Sequence, residues 1–181
     1  MKSITDYLKF YNLINDPLYA ENLPKLVNLL EEIKNKSARV YIAGNGASAS
    51  IASHIANDLT KATKIRAMTF HDPAIITCFG NDYEYENWIK ECLKHYCEAD
   101  DLVILISSSG KSKNILNAAE FCKENGNNLI SFTGPRPCSN LVEYSNINFS
   151  VNSEIYNIIE CIHMILLTAA IDQIHMVTLS S

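Results

Sequence analysis

The sequence predicts an α/β fold: a three-layer αβα sandwich around a five-stranded parallel sheet of flavodoxin type, preceded by N-terminal helices. Three observations predict it. Five short apolar runs rich in β-branched residues alternate with helix-patterned segments, as right-handed βαβ crossovers require. Two of those runs end in turns that open helices, Gly44–Ser48 and Ser107–Ser112. The 181 residues, 48% hydrophobic and 19% charged, suffice for one domain of this kind and are too few for two ordinary ones.

Taken in order, residues 3–34 read as two helices parted at Asn15-Asp16-Pro17, the second carrying an apolar face of Leu23, Leu26, Val27, Leu29 and Leu30. Residues 1–34 thus form a helical region expected to pack in an oligomer, and 35–181 the α/β unit, together one structural domain. A first strand over Ala38–Ala43 meets Gly44-Asn45-Gly46, and a helix runs from Ser48 to Thr60. A short second strand is expected over Lys64–Thr69, then a loop or short helix at Asp72–Phe79 and a turn at Gly80-Asn81-Asp82. A helix over 83–97 places Trp88, Cys92, Leu93 and Tyr96 on one stripe.

The third strand, Leu102–Ile106, leads through the serine turn to a helix ending near Glu124, where Asn125-Gly126 has the chemistry of a left-handed cap. Strand four is Asn128–Phe132, followed by a loop at Thr133–Pro137, and strand five is 146–151. A closing helix from Glu154 to His175 is apolar nearly all round, so it must be covered on more than one side. In a doubly wound sheet, ligands bind at the carboxyl ends of strands beside the switch point. The two Gly/Ser turns end strands one and three, which flank that point.

The serine turn Ser107-Ser108-Ser109-Gly110-Lys111-Ser112 is an anion cradle in outline. Backbone N–H groups at a helix start lack intrahelical partners, the helix dipole favours negative charge there, and hydroxyls add donors. Gly110-Lys111-Ser112 mimics the end of a nucleotide P-loop, but the glycine required five residues earlier is Leu105. The turn therefore predicts a phosphate site that is not a P-loop, with no nucleotide cofactor expected. Lys111, Arg66 and Arg136 are candidate countercharges, and each is equally a solvated side chain. The Gly44–Ser48 turn gains meaning only by pairing with the serine turn, since any tight strand-to-helix junction favours glycine.

A net charge of −5 and a pI near 5.5 argue against nucleic acid as partner. The six cysteines show no Cys-x-x-Cys pair and the first residues no signal-peptide stretch, so reduced thiols in a cytoplasmic protein are expected. The longest near-apolar run, Ile162–Ile171, is about half a membrane span, so no membrane association is expected. His54 and Asp58 lie four apart on one helix face, either as a surface pair or as metal-ligating or acid/base groups. His163, one turn after Glu160, interrupts the apolar closing helix and needs a partner if buried. His71, His95 and His175 are read as surface or structural.

Together these motifs resemble the sugar isomerase (SIS) domain family, and within it the phosphoheptose isomerases. The matching residues are Gly44-Asn45-Gly46-Ala47-Ser48 with His54, Gly80-Asn81-Asp82, Ser107–Ser112, Leu129–Gly134 and the helix bearing His163, in family order over residues 20–172. The resemblance implies a homotetramer with active sites between subunits, and isomerisation of sedoheptulose 7-phosphate to a glycero-manno-heptose 7-phosphate through an enediol. It implies substrate binding by Asn45, Gly46, Ser48, Asn81, Asp82, Ser107, Ser108, Ser109 and Ser112. It assigns the acid/base pair to Asp58 and His163, and a zinc ion to His54, Asp58 and His163. The chain departs from the family at three positions: Asp58 replaces a glutamate, Ile155 a glutamine metal ligand, and Ala62 an arginine. Those departures keep a second reading open, a non-catalytic SIS module that binds a phosphosugar or a protein, like the initiator-associating proteins of bacterial replication.

Overall fold

The computed structural model describes residues 3–135 and 140–180. Five strands, β1 (Arg39–Gly44), β2 (Arg66–Met68), β3 (Leu102–Ser107), β4 (Asn128–Thr133) and β5 (Ile147–Ser150), form one sheet in the order β2-β1-β3-β4-β5. Every neighbouring pair is parallel. This is the flavodoxin order, and its direction reverses between β1 and β3, as expected from the sequence.

Side chains alternate across the strands and so feed two cores. Val40, Ile42, Leu102, Ile104, Ile106, Ile130, Phe132 and Phe149 face one layer, which also holds Leu26, Leu30 and Ile33, Ile51 and Ile55, and Ile162 and Leu166. These belong to α2 (Pro17–Asn35), α3 (Ala47–Asp58) and α8 (Tyr156–Ser180). Tyr41, Ala43, Val103, Leu105 and Leu129 face the other layer with Trp88, Cys92, Ile115 and Cys122. Those come from α5 (Trp88–Tyr96) and α6 (Lys113–Asn125). Strands buried on both faces explain why they read as continuous apolar runs.

The N-terminal region begins with α1 (Ile4–Leu8) and a 3-10 stretch over Lys9–Asn15. Helix α2 starts where Asp16 caps the Leu18 N–H at 2.9 Å with Pro17 at the first helical position. It packs within this chain: the Tyr19 hydroxyl donates to the Ser150 carbonyl at 2.9 Å, and the Asn22 amide to the Asn148 carbonyl at 3.1 Å. The helix is therefore part of the chain's own core, and Ile4 and Leu8 of α1 are the apolar side chains left exposed.

Three elements differ from the sequence reading. The turn expected at Gly80-Asn81-Asp82 lies inside α4 (Pro73–Tyr83). Asp72 caps the Ala74 N–H at 2.8 Å, and Ile75, Ile76 and Phe79 dock on the second core, so packing carries the helix through Gly80. Tertiary contact outweighs the roughly 1 kcal/mol that a helical glycine costs. The chain breaks instead at Glu84, at φ 68°. The following helix begins at Trp88 rather than near residue 83, and a short α7 (Asn140–Tyr144) precedes β5 in a segment to which the sequence assigned no element. Gly126 does adopt the left-handed cap, at φ 74°. Arg136, Pro137 and Cys138 lie outside the described residues.

Helix α8 is long and apolar enough over Tyr156–Met176 to match a membrane span, although its uninterrupted apolar run is shorter. Half of that window is buried, against α2, α3 and the sheet, which is what a core helix requires.

Candidate phosphosugar site

At the carboxyl ends of β1 and β3, a cavity of about 170 Å³ opens between the two turns and α8. Asn45 and Ser48 line it from the first turn, Ser107, Ser108, Ser109 and Ser112 from the second, and Tyr156 and Glu160 from α8. The apolar strand delivers each turn rigidly. Ser107 Oγ accepts the Gly110 N–H at 3.1 Å, and Ser109 Oγ accepts the Lys111 N–H at 3.3 Å, which folds the serine turn back on itself. Ser112 occupies the N-cap of α6 without spending its hydroxyl on the helix, at ψ 122°. Ser108 Oγ is buried and has no hydrogen-bond partner in the protein. A buried hydroxyl without a partner is costly, so one aimed at a polar cavity marks where a ligand oxygen belongs.

The turn is also clamped from the side. The Gly134 N–H, just past β4, donates to the Ser108 carbonyl at 2.9 Å. A Cβ at Gly134 would stand 2.3 Å from that oxygen, so only glycine permits the approach. Gly46 caps α3 at φ 56° and lets the first turn close over the strand end.

Of the candidate residues from the sequence, Asn45, Ser48, Ser107, Ser108, Ser109 and Ser112 line the cavity, and Gly46 adjoins it. Asn81 and Asp82 are exposed on α4, bonded to each other at 2.9 Å, and do not line it. The resemblance assigned them to substrate binding, whereas here they lie on α4 away from this cavity. Lys111 does not line it either.

His54 and Asp58 form the pair their spacing predicts, with Nε2 and Oδ2 at 3.2 Å, and both are substantially exposed on α3. His163 is elsewhere: it has no exposure, and its Nε2 lies 3.0 Å from the Thr133 carbonyl. That carbonyl only accepts, so Nε2 carries the proton and Nδ1 is left as a buried acceptor without a partner. Phe132 meets the imidazole edge to face at 5.6 Å. Burial pushes its pKa down to about 4, and the Thr133 carbonyl offsets only part of this. His163 is a neutral core histidine that does not line the cavity.

The zinc set expected at His54, Asp58 and His163 is therefore not assembled within one chain. Among the described residues no three of His, Cys, Asp and Glu are placed to share a metal ion. The donor set of a single chain does not fit zinc, because one of its three members is sealed in the core.

Sequence reasoning missed three contributors. Glu160 and Tyr156 reach the cavity from α8, where Glu160 read only as a polar neighbour of His163 and Tyr156 carried no signal. Desolvation raises the Glu160 carboxyl above its ordinary value. His71, read as surface or structural, is partly buried with its Nε2–H on the Gly44 carbonyl at 3.1 Å, behind the first turn.

The model of one family, described as the SIS domain, matches residues 13–134, which include both turns that line the cavity. The chain belongs to the SIS domain family. Among SIS proteins it is similar to the phosphoheptose isomerase of Thermodesulfovibrio yellowstonii, 32% identical over 150 residues, covering 78% of this chain and 74% of that one. The phosphoheptose isomerase of Aneurinibacillus thermoaerophilus is 36% identical over 124 residues, covering 61% of this chain and 62% of its own. The solved phosphoheptose isomerase structure from Neisseria gonorrhoeae superposes with a TM-score of 0.87 at 21% identity, over 94% of this chain and 96% of that one. This SIS chain thus has the fold in full, with its serine turn in the place the fold reserves for ligands.

Proposed function

We propose that this SIS protein is a phosphoheptose isomerase, an aldose–ketose isomerase that converts sedoheptulose 7-phosphate to D-glycero-D-manno-heptose 7-phosphate through an enediol. The observation that carries the reading is the serine cavity, in which the Ser108 hydroxyl has no protein partner. The sugar phosphate sits at the start of α6, where free backbone N–H groups and the hydroxyls of Ser108, Ser109 and Ser112 converge. Ser48 and Asn45 close the opposite wall.

The chemistry needs one group to take the proton next to the carbonyl and another to return it. The family resemblance gives these tasks to Asp58 and His163, with zinc at His54, Asp58 and His163. Burial of His163 tells against its touching substrate, and no step here runs through a metal. The specific observation of Glu160 in the cavity favours it as the proton carrier of this chain's own pocket, its carboxyl already raised by desolvation. Asp58 then acts only across a subunit boundary. An apolar groove of about 590 Å³ between α3 and α8, lined by Ile51, Cys161, Met164 and Ile165, supports such assembly into the homotetramer. Glu160 lines both groove and cavity, so a second copy seated there would border the site. The described cysteines are all free thiols, which supports a cytoplasmic setting.

The test is turnover of sedoheptulose 7-phosphate by the purified protein, with and without added zinc, repeated for Glu160→Gln, Asp58→Asn and His163→Gln. Aldose formation lost in Glu160→Gln but retained in His163→Gln supports this assignment. Saturable phosphosugar binding without turnover would favour the non-catalytic module.

A further inference from the structure

Asn45 lines the cavity, yet most of its hydrogen-bonding capacity is taken by the protein. Its Nδ2 donates to Asn114 Oδ1 at 3.0 Å, and its Oδ1 accepts from Asn114 Nδ2 at 2.8 Å and from the Tyr85 hydroxyl at 3.2 Å. The two carboxamides form a reciprocal pair between the first turn of α6 and the turn after β1.

Which atom of each amide is oxygen follows from the main chain. The Ile115 N–H donates to both the Ser112 carbonyl and Asn114, each at 3.1 Å, and a donor must meet an acceptor, so the Asn114 atom is Oδ1. That oxygen faces Asn45, so the Asn45 atom opposite must be nitrogen. The Asn45 oxygen is then doubly occupied by Asn114 and Tyr85. One hydrogen-bonding valence of strong character remains, the second N–H of Asn45. Asn114 is 3% exposed and does not line the cavity itself.

We infer that Asn114 is a positioning residue, which with Tyr85 fixes Asn45 as an N–H donor to an acceptor oxygen of the phosphosugar. The inference rests on the isomerase reading above. A freely rotating Asn45 would offer its oxygen to the cavity as often as its nitrogen, and an oxygen there would repel the acceptor oxygens of an anionic sugar. Holding the amide in one orientation therefore selects the ligand without contacting it. The same path links the helix that binds phosphate to the turn on the opposite wall.

The experiment is a double-mutant cycle read in kcat/KM for sedoheptulose 7-phosphate, with folding of each variant checked by circular dichroism. Asn45→Ala and Asn114→Ala should each lower kcat/KM about tenfold, the worth of one hydrogen bond. The double variant should be no more than about twofold worse than Asn45→Ala alone, because both remove one donor. A purely structural role for Asn114 would instead multiply the two losses. Tyr85 is exposed, so Tyr85→Phe folds whatever becomes of Asn114→Ala. It should cost about threefold in the wild type and nothing in Asn45→Ala. Multiplied losses, no loss in Asn45→Ala, or equal Tyr85→Phe effects in both backgrounds overturn the positioning role alone. A wild type that turns over no sedoheptulose 7-phosphate overturns the isomerase reading and this inference together.

Discussion

Ser108 and His163 are each buried with an unpartnered polar atom, and their surroundings give the two opposite meanings. Ser108 borders a polar cavity, and the proposed function makes its hydroxyl a donor to the sugar phosphate. Ser108→Ala should leave the thermal midpoint unchanged or slightly raised, since no protein partner is lost, while KM for the phosphosugar rises about tenfold. Titration of binding and melting on one preparation would separate the two effects. His163 borders Phe132 and the sheet, so it stays neutral. Its pKa falls from the ordinary 6.5 to about 4, so the unfolded chain binds the proton first on acidification. Stability is full above pH 6.5 and declines toward pH 4, by about 3 kcal/mol from this residue. His71, also lowered by burial, acts in the same direction. Urea unfolding across that range should show a shallower decline in His163→Gln; equal slopes would remove His163 from the account.

The elements were legible where periodicity and local chemistry agreed. The β-branched runs at Val40–Ala43 and Leu102–Ile106 could be read as buried strands, and Asn125-Gly126 as a helix stop, because each depends on neighbours in sequence. Gly80-Asn81-Asp82 misled for the converse reason: its turn chemistry is local, but Ile75, Ile76 and Phe79 bind the helix to a distant core. Gly134 shows a constraint invisible in sequence, a strand end pressed on the backbone of another loop. Gly134→Ala should destabilise the fold by about 2–3 kcal/mol and displace the serine turn. Loss of phosphosugar affinity larger than that of Ser108→Ala, with a lowered unfolding midpoint, would mark both effects.

At the scale of the whole molecule, an apolar groove between α3 and α8 stays uncovered. Ile165 on its wall is 43% exposed, unlike the leucines beside it in the core. Ile165→Asp should reduce the particle mass in light scattering from a multiple of 20.3 kDa to a smaller species, and lower turnover with it. An unchanged mass would exclude this face as the contact between copies.

By itself the sequence determined the doubly wound sheet and the serine turn at the end of its third strand, because strand patterning, helix starts and turns are set by residues close along the chain. Only the tertiary structure decided what surrounds that turn: that Glu160 and Tyr156 line its cavity, that Asn114 hydrogen-bonds Asn45 across 69 residues, and that His163 is sealed in the core. Those placements depend on how α8 and the two turns pack on the sheet, and packing between distant segments leaves no local mark in the chain.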